Sequence, residues 1–419
     1  GIKAAESLWN LNQGDEAIRW LGLVLQKNPK SVDAMLVLGE YLIERFRFTE
    51  AINHLKKAKS LAKNDYRVIR SYAHYEFKRM NLPAAKDYSE KAIRVYDSDI
   101  QSHIILSESL LLLGATDQAY KTIARAVSLE PLNVEAQATY AKVLASFQGA
   151  TTGEKYILNL INTYPSIMEY RVALAKIYLM DNQIEKAKGV LIPITQVRSD
   201  YKPAFMNLAE AYYQEERATE ALEAYLNAAS LDPTDAEPLV RVGLIYQATN
   251  KAFEAITQYE RAIKINSNYP RLYYYLGTAY LEAKRPKEAL AQAMIERRNN
   301  PLIADSYLLA GDAYRDLGNY NKAIEEYRSA IQKRPQSAEI YVKLAICYRL
   351  IGNLDVAETM LATATAKQSG YAEIYRETGE ILEKRNQNFE AVEAYRRYLG
   401  LKPNAKDADM VRRRIQQLE

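Results

Sequence analysis

Reactive side chains are scarce in this sequence. Its 419 residues include one cysteine, Cys347, and three histidines, His54, His74 and His103. A single thiol excludes an internal disulfide and a zinc site of the cysteine type, and it leaves the redox compartment open between cytoplasm and periplasm. No glycine-rich loop of the Walker or dinucleotide kind occurs, because the glycines stand singly. No nucleophile is set beside a base, and the carboxylates are spread along helical patterns, so neither catalysis nor a bound cofactor or metal is expected. Long apolar runs are missing too: nothing approaches the roughly 20 residues that cross a bilayer, so this segment is not expected to insert in a membrane. Charge of one sign is also lacking. The formal net charge is +4, too small for the bulk attraction that recruits nucleic acid.

What the sequence does have is a period. Residues 304–337 read ADSYLLAGDAYRDLGNYNKAIEEYRSAIQKRPQS. Tyr307, Ala310, Gly311 and Tyr314 fall three and four apart, on one face of a first helix. Leu317, Gly318 and Asn319 make a turn. Ala323, Tyr327 and Ala330 mark one face of a second helix, which Pro335 closes. In steps of 34, the position of Ala323 is filled by Ala17, Ala51, Ala85, Ala119, Gly153, Ala187, Ala221, Ala255, Ala289, Ala357 and Ala391. The position of Gly311 is filled only by glycine, alanine or serine, from Ala5 to Gly379. Small residues at two fixed points let two helix backbones cross closely, so the period is steric in origin.

A 34-residue helix-turn-helix with this pattern resembles the tetratricopeptide repeat (TPR). The resemblance implies an all-α, right-handed superhelix over residues 1–405, with repeats starting at about 1, 32, 66, 100, 134, 168, 202, 236, 270, 304, 338 and 372. Residues 406–419 are expected to form a capping helix. In them Ala408, Val411, Ile415 and Leu418 make an apolar stripe, and Arg412, Arg413 and Arg414 either face water or meet a phosphate. Two departures stand out. Repeat 5 carries Gly149 and Gly153 at its turn, with Thr151 and Glu154 spaced as a capping box. Repeat 6 has Pro193 late in its second helix, predicting a kink or an early end. These departures read either as drift or as a hinge. The first repeat begins part way into its helix, so more chain is expected before Gly1. Its apolar end, with Leu8, Trp9, Leu11 and Leu21, is a candidate surface for self-association.

The resemblance also implies that the second, fifth, ninth, twelfth and thirteenth residues of each repeat line a concave groove that binds protein or peptide segments. Repeat 3 offers Arg67, Arg70, His74, Phe77 and Lys78 there. This basic stripe is either open to an acidic peptide or neutralised by Asp33, Glu40 and Glu44 one repeat back. Repeats 4 to 9 offer Leu112, Leu179, Met180, Met206, Tyr213, Leu244, Tyr274 and Tyr275, with Ile104, Val172 and Val240, an apolar row that either faces a partner or packs between repeats. Repeats 10 to 12 offer Asp312, Arg315, Arg349 and Arg376 in more acidic surroundings. The expected function is a non-catalytic protein–protein interaction scaffold. The alternative is a regulatory or assembly arm of a larger enzyme or of a bacterial envelope export, pilus or polysaccharide-secretion machine.

Overall fold

The computed structural model describes residues 1–299 and 303–419. These form 25 α-helices, with no strand among the described residues. Helices pair within each repeat and then pack on the next pair. Capping shows why they start where they do. Ser31, Asp65, Asp99 and Asn133 stand 34 residues apart, and each accepts a hydrogen bond from a backbone N–H in the first turn of the helix that follows. Such caps satisfy donors that the helix itself leaves orphaned.

The turn between the paired helices repeats one backbone feature. Asn12, Phe46, Met80, Gly114, Asn182, Glu216, Asn250, Lys284, Gly318, Gly352 and Asn386, all at one register, take positive φ. Glycine and asparagine do this readily, whereas phenylalanine, methionine and glutamate pay a steric penalty. Repeat 5 is the exception. Its first helix runs on to Gln148, and Gly149 turns the chain at φ 99°. The second helix then begins at Ala150, so Thr151 lies inside the first turn and the expected capping box does not form. The tighter hairpin needs Gly153, where a Cβ would come 2.6 Å from the Ala141 carbonyl oxygen. Pro193 does not end its helix early either. Ile184–Val197 stops at the same register as the other second helices.

Every alanine of the ladder, from Ala17 to Ala391, is fully buried. Opposite it, Gly243, Gly311 and Gly379 leave room for the rings of Tyr259, Tyr327 and Tyr395. The ring hydroxyls then donate to Gln247, Asp312 and Glu383, at 2.6, 2.7 and 2.8 Å. Each of these repeats thus buries a large aromatic without orphaning its O–H.

By its internal contacts the chain resolves into two compact units, residues 1–270 and 271–419, although the 34-residue period runs unbroken through that point. Pro270 precedes Arg271, which sits at φ 61° and delays the first helix of repeat 9 until Leu272. In the second unit the helix Ala408–Leu418 lays Val411 and Ile415 against Tyr375, Val392, Tyr395 and Tyr398. Arg414 pairs with Glu383 and Arg412 with Asp409, so two of the three terminal arginines are matched by carboxylates. In the first repeat Leu21 is fully buried, contrary to the expectation of an exposed end there. Trp9 stacks on Tyr41 at 4.0 Å, and Leu11, Trp20 and Leu23 remain exposed.

Candidate functional site in the concave groove

In the first unit, the first helices of repeats 2 to 7 line two adjoining cavities of about 390 and 620 Å³, which share Glu108 and Glu135, and repeats 4 to 6 do so with their second, fifth, sixth and ninth residues. One is lined by Trp9, Glu44, Arg70, His74, Lys78 and Ile104. The other is lined by Ala138, Lys142, Val172, Ala173, Lys176 and Pro203.

Charges in this groove are matched one repeat apart. Arg67 reaches Asp33 at 2.6 Å, and Lys78 reaches Glu44 at 2.8 Å, each across a step of 34 residues. Gln101 donates to Glu135 at 2.6 Å, and Lys142 pairs with Glu108 across the same step. Arg67 also holds Asp65, and Arg70 spans Glu40 and Asp99 at 3.2 and 3.0 Å. His74 meets Glu44 at 2.8 Å. Glu44 sits deep in the groove yet touches water. Burial opposes its charge, but the hydrogen bond from His74 and the ammonium of Lys78 outweigh it and hold the carboxyl at about 2. The stripe read from repeat 3 is therefore in place, and its cations already face carboxylates of neighbouring repeats.

One cation on this wall is different. Lys176 is the ninth residue of repeat 6, one rung beyond Lys142, and among the described residues no carboxylate pairs with it. The side chain is exposed to solvent, but the groove walls crowd it: loss of hydration first, and then Lys142, with Lys78 adding to the effect against the pull of Glu108 and Glu237, lowers its ammonium below the usual lysine range. Beside it lie Val172 and Ala173, with Pro203 from the next repeat. Sequence reading passed over Lys176. Glu108, Lys142, Lys176 and Glu210 recur at one register, and Glu210, the acid one rung beyond Lys176, accepts from the Tyr225 hydroxyl instead.

The other predicted residues divide between the units. In the first, Leu112, Met180 and Tyr213 are exposed, at 55%, 54% and 43%. Phe77 lines the smaller cavity. Leu179 and Met206 are half-buried against the repeat cores, and Leu244 is half-buried. Ile104, Val172 and Val240 are buried, so part of the apolar row packs between repeats. In the second unit, the guanidinium of Arg271 lies over both Tyr274 and Tyr275 at 5.0 and 5.5 Å. Burial, followed by the charge of Asp305, pushes the Tyr274 phenol up to about 12. Asp312 takes Lys343 at 2.7 Å and Arg315 at 3.2 Å. Arg349 holds Glu377 and Glu380, at 3.0 and 2.9 Å. Arg376 reaches Glu377, Glu380 and Asp407. Here the expected site residues form an ion-pair network. His103 is 4% exposed and donates from Nε2 to the Asp97 carbonyl, a structural role. Among the described residues no group of histidine, cysteine or carboxylates could hold a metal ion.

Family models agree with this architecture. One, described as tetratricopeptide repeat, matches residues 2–66, 172–236 and 342–406. Another, described as TPR repeat, matches 243–283 and 311–352. The chain belongs to the tetratricopeptide repeat family. TPR proteins mediate protein–protein and peptide binding. No curated protein sequence matches the chain. Among solved structures, it is similar to yeast Tom70 at 11% identity, covering 93% of this chain and 96% of that one, with a TM-score of 0.48. It is also similar to a chain of the APC/C hetero-tetramer Cut9–Hcn1, at 12% identity, 98% and 95% coverage and a TM-score of 0.47. A thermophilic TPR protein of Thermus thermophilus is 24% identical over 44% of this chain and 98% of its own, with a TM-score of 0.40. Family membership rests on the repeat models.

Proposed function

We propose that this TPR array is a non-catalytic scaffold whose N-terminal unit holds an acidic, partly apolar segment of another protein in its concave groove. The observation that carries this reading is Lys176, a groove-lining cation with no carboxylate partner among the described residues, set beside Lys142 and an apolar floor of Val172, Ala173 and Pro203. A carboxylate arriving there gains the Lys176 ammonium, with Lys142, already held by Glu108, one rung away, and apolar side chains next to it gain burial. Arg67, Arg70 and Lys78 extend the same wall, but with their charge already matched they contribute shape and register more than net attraction. The test is fluorescence anisotropy with a labelled short peptide of alternating leucine and glutamate. Lys176→Glu should weaken binding about tenfold at low salt, and the difference should shrink as the screening length falls to about 8 Å near physiological salt. Equal affinity for parent and variant at low salt would refute the assignment.

A further inference from the structure

In a repeat solenoid each unit touches chiefly its neighbours. Repeat 2 breaks this rule. Its turn residue Arg45 is 9% exposed and pairs at 2.8 Å with Asp232 at the end of repeat 7, 187 residues away. Asp235 lies at 4.0 Å, and the ring of Trp9 lies 5.2 Å from the guanidinium carbon. The side-chain amide of Asn266, at the end of repeat 8, donates to the Arg45 carbonyl. Phe46 packs its ring against Tyr269 at 4.8 Å. The first repeat makes way for this contact. A Cβ at Gly14 would come 2.2 Å from a guanidinium nitrogen of Arg45, and no other repeat has glycine at that register.

The contact is small and built to come apart. Arg45 Nε is buried without an acceptor, a cost that opening removes. Asp232 and Asp235 both also pair with Lys202, and Asp232 accepts from Thr234. On opening, these carboxylates keep partners while Arg45 goes to water, so neither state strands a buried charge. Two states of similar free energy are what a switch requires.

We propose that the repeat-2 turn is a latch that joins one superhelical turn of the N-terminal unit to itself, and that its opening controls admission of a partner segment to the groove. The gating half of this inference rests on the groove reading above; the latch itself does not. Trp9, whose ring faces the Arg45 guanidinium, also lines the smaller of the two adjoining cavities, so the latch borders the groove and its opening widens the way in toward Lys176.

The test uses the full chain on a Cys347→Ser background, with spin labels carried on ketone-bearing unnatural residues at exposed Met80 and Phe253, in repeats 3 and 8. The parent should show one dominant distance, and Asp232→Asn combined with Arg45→Ala should shift it or add a second. The same labels in Phe46→Cys/Tyr269→Cys, oxidised to a disulfide, should keep the parent distance alone. Stopped-flow mixing with the leucine–glutamate peptide should show about tenfold faster association for the opened variant if the closed form is about nine-tenths populated. The disulfide should slow association until reductant is added. Identical distances in parent and opened variant, with circular dichroism unchanged, would overturn the latch. Shifted distances with unchanged association rates would overturn gating. A peptide that binds none of the proteins would refute the groove reading and with it the gating, while the label distances still decide the latch.

Discussion

Substituting Gly311 by alanine sets two effects of opposite sign against each other at one atom. In a helix interior, alanine is favoured over glycine by about 1 kcal/mol. At this crossing the new Cβ would stand 2.4 Å from Tyr327 Cε1 and 2.6 Å from Cδ1, well inside ordinary contact. The ring cannot swing aside freely, since Tyr327 is fully buried and its hydroxyl donates to Asp312 at 2.7 Å. Overpacking of this kind costs about 1–3 kcal/mol, so Gly311→Ala should destabilise repeat 10 by about 1 kcal/mol net. Gly189 supplies the control. It also lies inside a helix, but a Cβ there meets nothing within 4 Å. Gly189→Ala should therefore stabilise its repeat by about 0.5–1 kcal/mol, and the difference between the two variants isolates the steric part. Repeat arrays open in parts, so the assay is native-state hydrogen exchange, read on amides of Asp305–Asp316 and Ile184–Val197. Equal protection gained by both variants would refute the crossing geometry.

At the left-handed turn register, Met80 is 65% exposed, so Met80→Gly should raise stability by about 1 kcal/mol by releasing strain, measured as a shift in urea midpoint. Phe46→Gly should do the opposite, because there the ring packs on Tyr269 and Phe48. Ala323→Leu should cost about 1–3 kcal/mol at a fully buried crossing, and an unchanged midpoint would show that the ladder tolerates bulk. The Glu44 carboxyl is lowered from 4.5 to about 2 in the fold. Its contribution to stability should be complete above pH 4.5 and lost as pH falls toward 2. Glu44→Gln should flatten that acid-side slope of the urea midpoint; an unaltered slope would show that Glu44 is not held by His74 and Lys78.

The fold was legible because its signal is steric and periodic. Ala323 and Gly311 announce a close helix crossing at every repeat, and no tertiary accident can hide a spacing kept over the whole chain. The left-handed turn register was only partly legible. Gly318 and Asn386 suggest it, but Phe46, Met80 and Glu216 take the same conformation without any local preference for it. Thr151 misled because two extra helical residues, Phe147 and Gln148, moved the turn to Gly149. Pro193 does not shorten its helix, because it already lies within a turn or so of the end at Val197. Within the groove, the partners of Arg67 and Lys78 could be read off one period back, at Asp33 and Glu44. Lys176 could not be found by listing charges, since a lone lysine on a helix reads as a solvated face. What distinguishes it is that Glu210, the acid one period on, is taken by the Tyr225 hydroxyl, which only the structure shows. The Arg45–Asp232 contact lay beyond sequence reading, because only the curvature of the stacked repeats between them brings those residues together.

The central claim, that the concave groove of the N-terminal unit is the binding surface, is tested most directly by photo-crosslinking. A leucine–glutamate peptide carrying a benzophenone is irradiated with the full chain, and the adduct is located by mass spectrometry. Adducts should fall on the first helices of repeats 4 to 7, around Ala138, Val172, Lys176 and Pro203, and should be suppressed by Lys176→Glu. Adducts on second helices, such as those bearing the exposed Leu158 and Phe389, with no effect of Lys176→Glu, would contradict it.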